Sequence, residues 1–285
     1  IKGKDGSFEW TGKANFMTYK TIVDKVTDDS DEVGILFASS TLVNIYATKG
    51  EEYPLIKGTA YQRDDQGRVI VDPVSGNPLK TSNFVNLGVA TPDFIIGLSN
   101  SFSYKGVKLT AVGDFRYGGK FFSETKYQLA WTGNLVESAE NGRSGGFIFP
   151  NSVVDTNGDG VYESNTSVIT GGTSYSSYIN YWGTSSGYSG VAENFVLDGT
   201  AVKLREVALS YTLPEKLLKG TGLASATFGV NAKNVFMWLP KENKYYSDPE
   251  TNYNDTGAAY QAAGYASTSQ YPATRTYGFT LNLTF

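Results

Sequence analysis

The sequence predicts an all-β protein, and within that class an antiparallel transmembrane β-barrel segment with long extracellular loops and short periplasmic turns. Three observations predict it. Six segments of membrane-strand length alternate apolar and polar residues with period two. The connections between those segments alternate between short and long. The composition, with 20 Tyr, 16 Phe and 32 Gly against 2 Met, favours strands and turns over helices.

The alternation is clearest over Arg275 to Phe285. Tyr277, Phe279, Leu281, Leu283 and Phe285 fall on one face, and Thr276, Gly278, Thr280, Asn282 and Thr284 on the other. Five earlier segments repeat it. Phe8, Trp10, Ala14 and Phe16 oppose Glu9, Thr11, Lys13 and Asn15. Phe94, Ile96, Leu98, Phe102 and Tyr104 oppose Asp93, Gly97, Ser99 and Ser101. Val107, Leu109, Ala111, Phe115 and Tyr117 oppose Lys108, Thr110, Asp114 and Arg116. Val207, Leu209, Tyr211 and Leu213 oppose Glu206, Ala208, Ser210 and Thr212. Ala226, Phe228, Val230, Ala232, Phe236 and Trp238 oppose Thr227, Gly229, Asn231 and Lys233. Each segment is close to the roughly 9–11 residues that a tilted membrane strand needs. Aromatic residues such as Tyr104, Tyr117, Trp238, Tyr277 and Phe285 gather near strand ends, as interfacial girdles do. A soluble β-sandwich also alternates and is the competing fold.

Lys105-Gly106 makes a two-residue hairpin turn, and Leu213 to Leu223 is a second short link. The links from Tyr19 to Pro92, Gly118 to Thr200 and Leu239 to Pro272 are long. With short turns on the periplasmic side, the last strand ends at the periplasmic face. The same bookkeeping leaves room for zero or two more strands within 19–92, with candidates at Val33 to Tyr46 and Tyr53 to Tyr61. A small hairpin is predicted over Tyr61 to Asp72, turning at Asp65-Gln66-Gly67.

Composition narrows function. The net charge of −4 argues against nucleic acid as a partner. With no Cys and no His there is no thiolate site and no imidazole base, so an enzyme would have to work with carboxylates, Lys or Tyr. No triad, phosphate loop or paired-carboxylate site can be placed, and no catalytic residue is assigned. No apolar run reaches the roughly 18 residues of a membrane helix.

Several ordered motifs resemble one known family. They are Tyr61-Gln62-Arg63-Asp64-Asp65-Gln66-Gly67-Arg68, then Thr91-Pro92-Asp93-Phe94 leading to Tyr104-Lys105-Gly106, then Glu193-Asn194-Phe195-Val196. Lys203-Leu204-Arg205-Glu206-Val207-Ala208-Leu209-Ser210-Tyr211, Asn231-Ala232-Lys233-Asn234-Val235-Phe236 and the terminal Leu281-Asn282-Leu283-Thr284-Phe285 follow in order. Together they resemble the C-terminal part of a SusC/RagA-type TonB-dependent outer-membrane transporter of the Bacteroidota. The resemblance implies that residues 1–285 are the C-terminal portion of a 22-stranded barrel. The N-terminal plug and TonB-contacting segment would lie outside this chain. It further implies outer-membrane nutrient import of oligosaccharide or peptide, a SusD-like surface lipoprotein as partner, TonB as energy source and outer-membrane lipid around the wall. Tyr277 and Phe285 resemble the C-terminal signal read by barrel-assembly machinery. Two other readings of the residues stay open: a self-contained small barrel with a structural or adhesive role, and an extracellular soluble β-domain that binds glycan or calcium.

Two loop features are candidate sites. Tyr175, Tyr178, Tyr181, Trp182 and Tyr188 crowd one loop and offer flat faces for stacking on sugar rings or peptide side chains. The alternative is that they pack the loop onto its neighbours. Asp155, Asn157 and Asp159 stand at positions 1, 3 and 5 of a calcium loop over 155–163, with Gly160 at the turn. Thr166 stands at position 12, where a bidentate carboxylate is usual, so a polar turn is the alternative. No other cofactor is expected.

Overall fold

The fold is described from a computed structural model. It covers residues 1–3, 7–35, 42–140, 146–169, 181–183, 187–244, 246–250, 263–268 and 273–285. The six alternating segments are the six long strands, numbered here in chain order with the shorter ones between them. They are β1 (Phe8–Met17), β7 (Phe94–Tyr104), β8 (Val107–Tyr117), β15 (Ala201–Thr212), β16 (Ser225–Trp238) and β18 (Thr276–Thr284). They form one antiparallel sheet in that order, with β1 and β18 at its edges and not paired to each other.

The register converts alternation into continuous surfaces. Trp10, Phe102, Leu109, Leu209, Val230 and Phe279 stand opposite one another across all six strands. Phe8, Tyr104, Val107, Tyr211, Phe228 and Leu281 make a parallel row nearer the short turns. Most of these side chains are exposed. Near the long links, Phe94 stacks on Tyr117 at 5.2 Å and meets Phe115 and Phe16 at 5.8 Å. Asn100 lies on this apolar face, opposite Gly12, and accepts a hydrogen bond from the Trp10 indole at 3.1 Å. The bond satisfies an amide oxygen that an apolar surrounding would otherwise leave unpaired.

The turns follow from their residues. Lys105 and Gly106 have φ of 45° and 86°, the pair of positive angles of a type I′ turn, whose twist matches the strands it joins. The link after β15 carries a one-turn helix, Glu215–Leu218.

The three long links are not structureless. The first carries β2 (Glu32–Gly34), β3 (Val43–Thr48), β4 (Leu55–Gly58), β5 (Val69–Val71) and β6 (Val85–Val89). The second carries β9 (Lys120–Ser123), the helices Glu124–Trp131 and Val136–Glu140, β10 (Phe147–Ile148), β11 (Ser152–Val154), β12 (Glu163–Ser164), β13 (Val168–Ile169) and β14 (Val196–Asp198). The third carries β17 (Tyr265–Ala266). Strands β2, β3, β4 and β6 make their own sheet, so neither candidate within 19–92 joins the six-stranded wall. They are three to six residues long, and Val43, Ile45, Leu55 and Ile56 are buried rather than turned to one exposed face. The predicted hairpin is present: Arg63 bridges Val69, and Gly67 turns with φ 77°.

Two small sheets stitch the links together. β5 of the first link pairs with β11 of the second, and β17 of the third pairs with β9. Beneath them lies one core to which all three links contribute: Ile45 and Ile56, then Phe122 and Phe195, then Tyr265. The chain therefore has a wall whose apolar face is exposed and a separate body with a buried apolar core. Gly118 and Gly119, at φ 74° and 75°, turn the chain from β8 of the wall into β9 of the body. Inside the body, a Cβ on Gly58 would stand 2.7 Å from both the Leu42 carbonyl oxygen and the Ala192 Cβ. Gly58→Ala is accordingly expected to destabilise the body by about 1–3 kcal/mol, read as faster proteolysis of the long links in the full-length protein.

Candidate functional site

Wall and body meet where the sheet carries its densest charge. On β15 the pairing with β8 runs Leu204 to Gly113 and then Glu206 to Val112, leaving Arg205 as an extra residue. On β16 the partners are Phe236 and Lys233, so Asn234 and Val235 stand against Arg205. Asn234 takes φ 52° to accommodate the break. A bulge of this kind bends the strand and re-aims a side chain. Here it brings Arg205 to the same charged cluster as Lys203.

Lys203, 7% exposed, donates to both carboxyl oxygens of Asp248 at 2.5 and 2.7 Å and to Glu250 at 2.7 Å. Arg205 forks in two directions. It meets Asp114 of β8, with one bond at 3.1 Å, and Glu250 of the third link, with one bond at 2.6 Å; a further bond to each completes the pairs. Arg116 donates to the Pro249 carbonyl at 3.4 Å and to the Ala90 carbonyl at 3.3 Å. Three wall cations thus grip the Asp248-Pro249-Glu250 stretch. Beside them lies a cavity of about 210 Å³, lined among others by Lys203, Arg205, Asn234, Asp248, Glu250 and Arg275. A second hollow of about 280 Å³ lies lower on the same face, against Glu206, Ser210, Thr227, Asn231, Thr280 and Asn282.

Burial works to raise the Glu250 carboxyl, but hydrogen bonds from Arg205 and Lys203 outweigh it and hold it down at about 2. Because the folded value lies below the ordinary 4.5, this contribution is fully present above pH 4.5 and is lost as pH falls toward 2. The third link is expected to loosen from the wall at Glu250 over that window. Protease cleavage near 246–250 should rise on acidification between pH 5 and 2, and Glu250→Gln should remove most of that pH dependence.

No protein-family model matches the chain. Among curated proteins, TonB-dependent receptor P3 of Formosa agariphila is 22% identical over 299 residues, covering 98% of this chain and 27% of that protein. TonB-dependent receptor P26 of the same organism is 28% identical over 234 residues, covering 81% of this chain and 20% of that protein. The solved structure of the RagAB peptide transporter matches 99% of this chain at a TM-score of 0.59 and 17% identity. That of the RagAB peptide importer in its closed-closed state matches 100% at 0.59 and 18%. The chain is thus similar in sequence to TonB-dependent receptors and in fold to the RagAB transporter. It spans about a quarter of the length of the relatives it matches.

In this structure the aromatic loop has an inward half. Tyr181 and Trp182 are 4% and 6% exposed and belong to the body core. Their rings lie 4.8 Å apart, and Tyr188 packs on Trp182 at 4.9 Å and on Phe195 at 5.5 Å. Burial pushes the phenols of Tyr181 and Tyr188 up, and that of neighbouring Tyr61 to about 12. Packing is what these three rings do in this structure. Tyr175 and Tyr178 lie outside the described residues.

The 155–163 loop is closed by its own side chains. Asp155 accepts from the Gly158 and Gly160 N–H groups at 2.7 and 3.0 Å, and these and neighbouring backbone bonds, Gly160 first, hold its carboxyl below the usual range. Asn157 donates to Asp159 at 2.9 Å. Among the described residues no group of three or more His, Cys, Asp or Glu is arranged to hold a metal. Tyr277 and Phe285 are exposed, Phe285 at 87%. No described helix is long and apolar enough to cross a membrane, which says nothing of the strands.

Sequence reasoning passed over the Lys203, Arg205, Asp248 and Glu250 cluster. A signal for half of it was present. Val202 and Leu204 are apolar at even positions, whereas Val207 and Leu209 are apolar at odd ones. That switch of parity is the mark of a one-residue bulge at Arg205.

Proposed function

We propose that this chain is the C-terminal wall of a larger barrel, and that the receptor imports oligomeric nutrients across the outer membrane of a Gram-negative bacterium. One observation carries this reading: a six-stranded sheet with a continuous exposed apolar face and two edges that do not pair with each other. In lipid an open edge leaves backbone groups unpaired at several kcal/mol each, so further strands must close it. The apolar rows face lipid, the polar face looks into the lumen, and the body formed by the long links stands outside the cell. The substrate is a peptide or glycan oligomer, captured with a SusD-like surface lipoprotein and drawn inward through a TonB-coupled plug. The RagAB likeness in fold supports this arrangement. Tyr277 and Phe285 serve the barrel-assembly signal.

Two measurements test it. Trp10→Cys and Phe279→Cys, introduced together in the full-length receptor, should not cross-link, because β1 and β18 pair with other strands; an efficient disulfide would mean that six strands close on themselves. Deleting the receptor should abolish uptake of labelled oligomers, and unchanged uptake would overturn the import reading.

A further inference from the structure

The cavity beside Arg205 has an asymmetric charge distribution. The strand segments that line it bring the cations Lys203 and Arg205, with Arg275 one residue ahead of β18. Its carboxylates, Asp248 and Glu250, come from the third link. The gap exists because β16 continues to Trp238 while β18 begins only opposite Lys233, and because the bulge opens the ladder at Asn234. Asp114, which does not line the cavity, holds one side of the Arg205 guanidinium in place. The other side meets Glu250 in the planar, two-bonded geometry that a guanidinium uses for carboxylates in general. Arg275 donates through Nε to the Asn234 backbone oxygen at 3.3 Å, which holds its guanidinium at the rim.

We propose that this cavity is a receptor for a carboxylate group of the transported oligomer, and that Asp248 and Glu250 occupy it in cis as stand-ins for that group. The inference rests on the import reading and deepens it by naming the substrate class: an oligomer bearing carboxylates, either an acidic peptide or a uronate-containing glycan. An arriving carboxylate displaces Glu250 from Arg205 and Lys203, so that both cations stay paired while the Glu250 carboxylate passes to water. It also loosens the third link, which then keeps only the Lys203 bonds to Asp248 and the Arg116 bond to the Pro249 carbonyl, so occupancy and the position of that link are coupled. Self-occupation weakens apparent affinity by the fraction of time the loop holds the site.

The test is calorimetric titration of the purified full-length receptor in detergent with two probes, triglutamate and trigalacturonate. Asp248→Asn combined with Glu250→Gln is expected to tighten binding of at least one probe about tenfold, and Glu250→Gln alone by less. In that double-variant background, Arg205→Lys and Arg275→Gln together should reverse the gain, because a lysine cannot present the fork. Unchanged heat-modifiable mobility on gels verifies that each variant is folded. Tightening with triglutamate assigns peptides, and with trigalacturonate acidic glycans. The proposal is overturned if the double variant binds neither probe more tightly than the parent, or if Arg205→Lys with Arg275→Gln leaves the gain intact. The titration needs no TonB, so its failure leaves import standing, whereas unchanged oligomer uptake after receptor deletion sinks the import reading and this inference with it.

Discussion

A Val207→Arg substitution in the full-length receptor is expected to lower the stability of the membrane-inserted state by about 2–4 kcal/mol. Val207 sits midway along β15 on the apolar face, in a row with Gly12, Asn100, Ala111, Ala232 and Tyr277. That depth places a guanidinium near the middle of the hydrocarbon, far from either interface. The next residue is the control. Ala208 faces the opposite way, into the polar hollow beside Ser210 and Asn231. Ala208→Arg is expected to cost about 1 kcal/mol or less. Urea titration of the receptor refolded into phospholipid vesicles, followed by gel mobility, measures both. Equal losses would show that the two faces do not divide lipid from lumen.

Phe195→Ala is expected to cost about 3–5 kcal/mol, and to spend that loss on the body rather than on the wall. Phe195 is fully buried. Its ring meets Tyr127 at 5.3 Å, Tyr188 at 5.5 Å and Phe122 at 6.0 Å. Deleting it removes the ring's transfer free energy and leaves a cavity that the surrounding rings fill only in part. None of the wall's strand pairs involves this residue. The long links should therefore become protease-sensitive while the heat-modifiable mobility expected of the proposed barrel is retained. Simultaneous loss of both would mean that wall and body unfold as one unit.

Much of the wall was legible because its information is local. Period-two alternation marks a strand wherever one face is apolar and the other polar, and it needs no knowledge of distant residues. Lys105-Gly106 announced its hairpin by length and by the glycine, whereas the shift of parity around Arg205, the mark of a bulge, was passed over. The choice between zero and two wall strands within 19–92 stayed open for the same reason. Val43 and Ile45 are as β-prone as wall residues, but they alternate into a buried core instead of an exposed face. The aromatic loop posed a similar ambiguity. Tyr181 and Trp182 suit a sugar platform as well as a core, and residue type alone does not distinguish the two.

What the sequence by itself determined is the six-stranded wall: its strands, their order, and the division into an apolar and a polar face. Each strand carries its own pattern, and neighbours joined by short turns have little choice of register. What only the tertiary structure decided is the body and the charged cluster. The body's core joins Ile56, Phe122, Phe195 and Tyr265, which are far apart in the chain and share no period. Lys203 and Arg205 meet Asp248 and Glu250 across more than forty residues of sequence. Contacts of that kind form because loop closure over long separations costs little more than over short ones, so which partners meet is decided by packing and charge rather than by spacing.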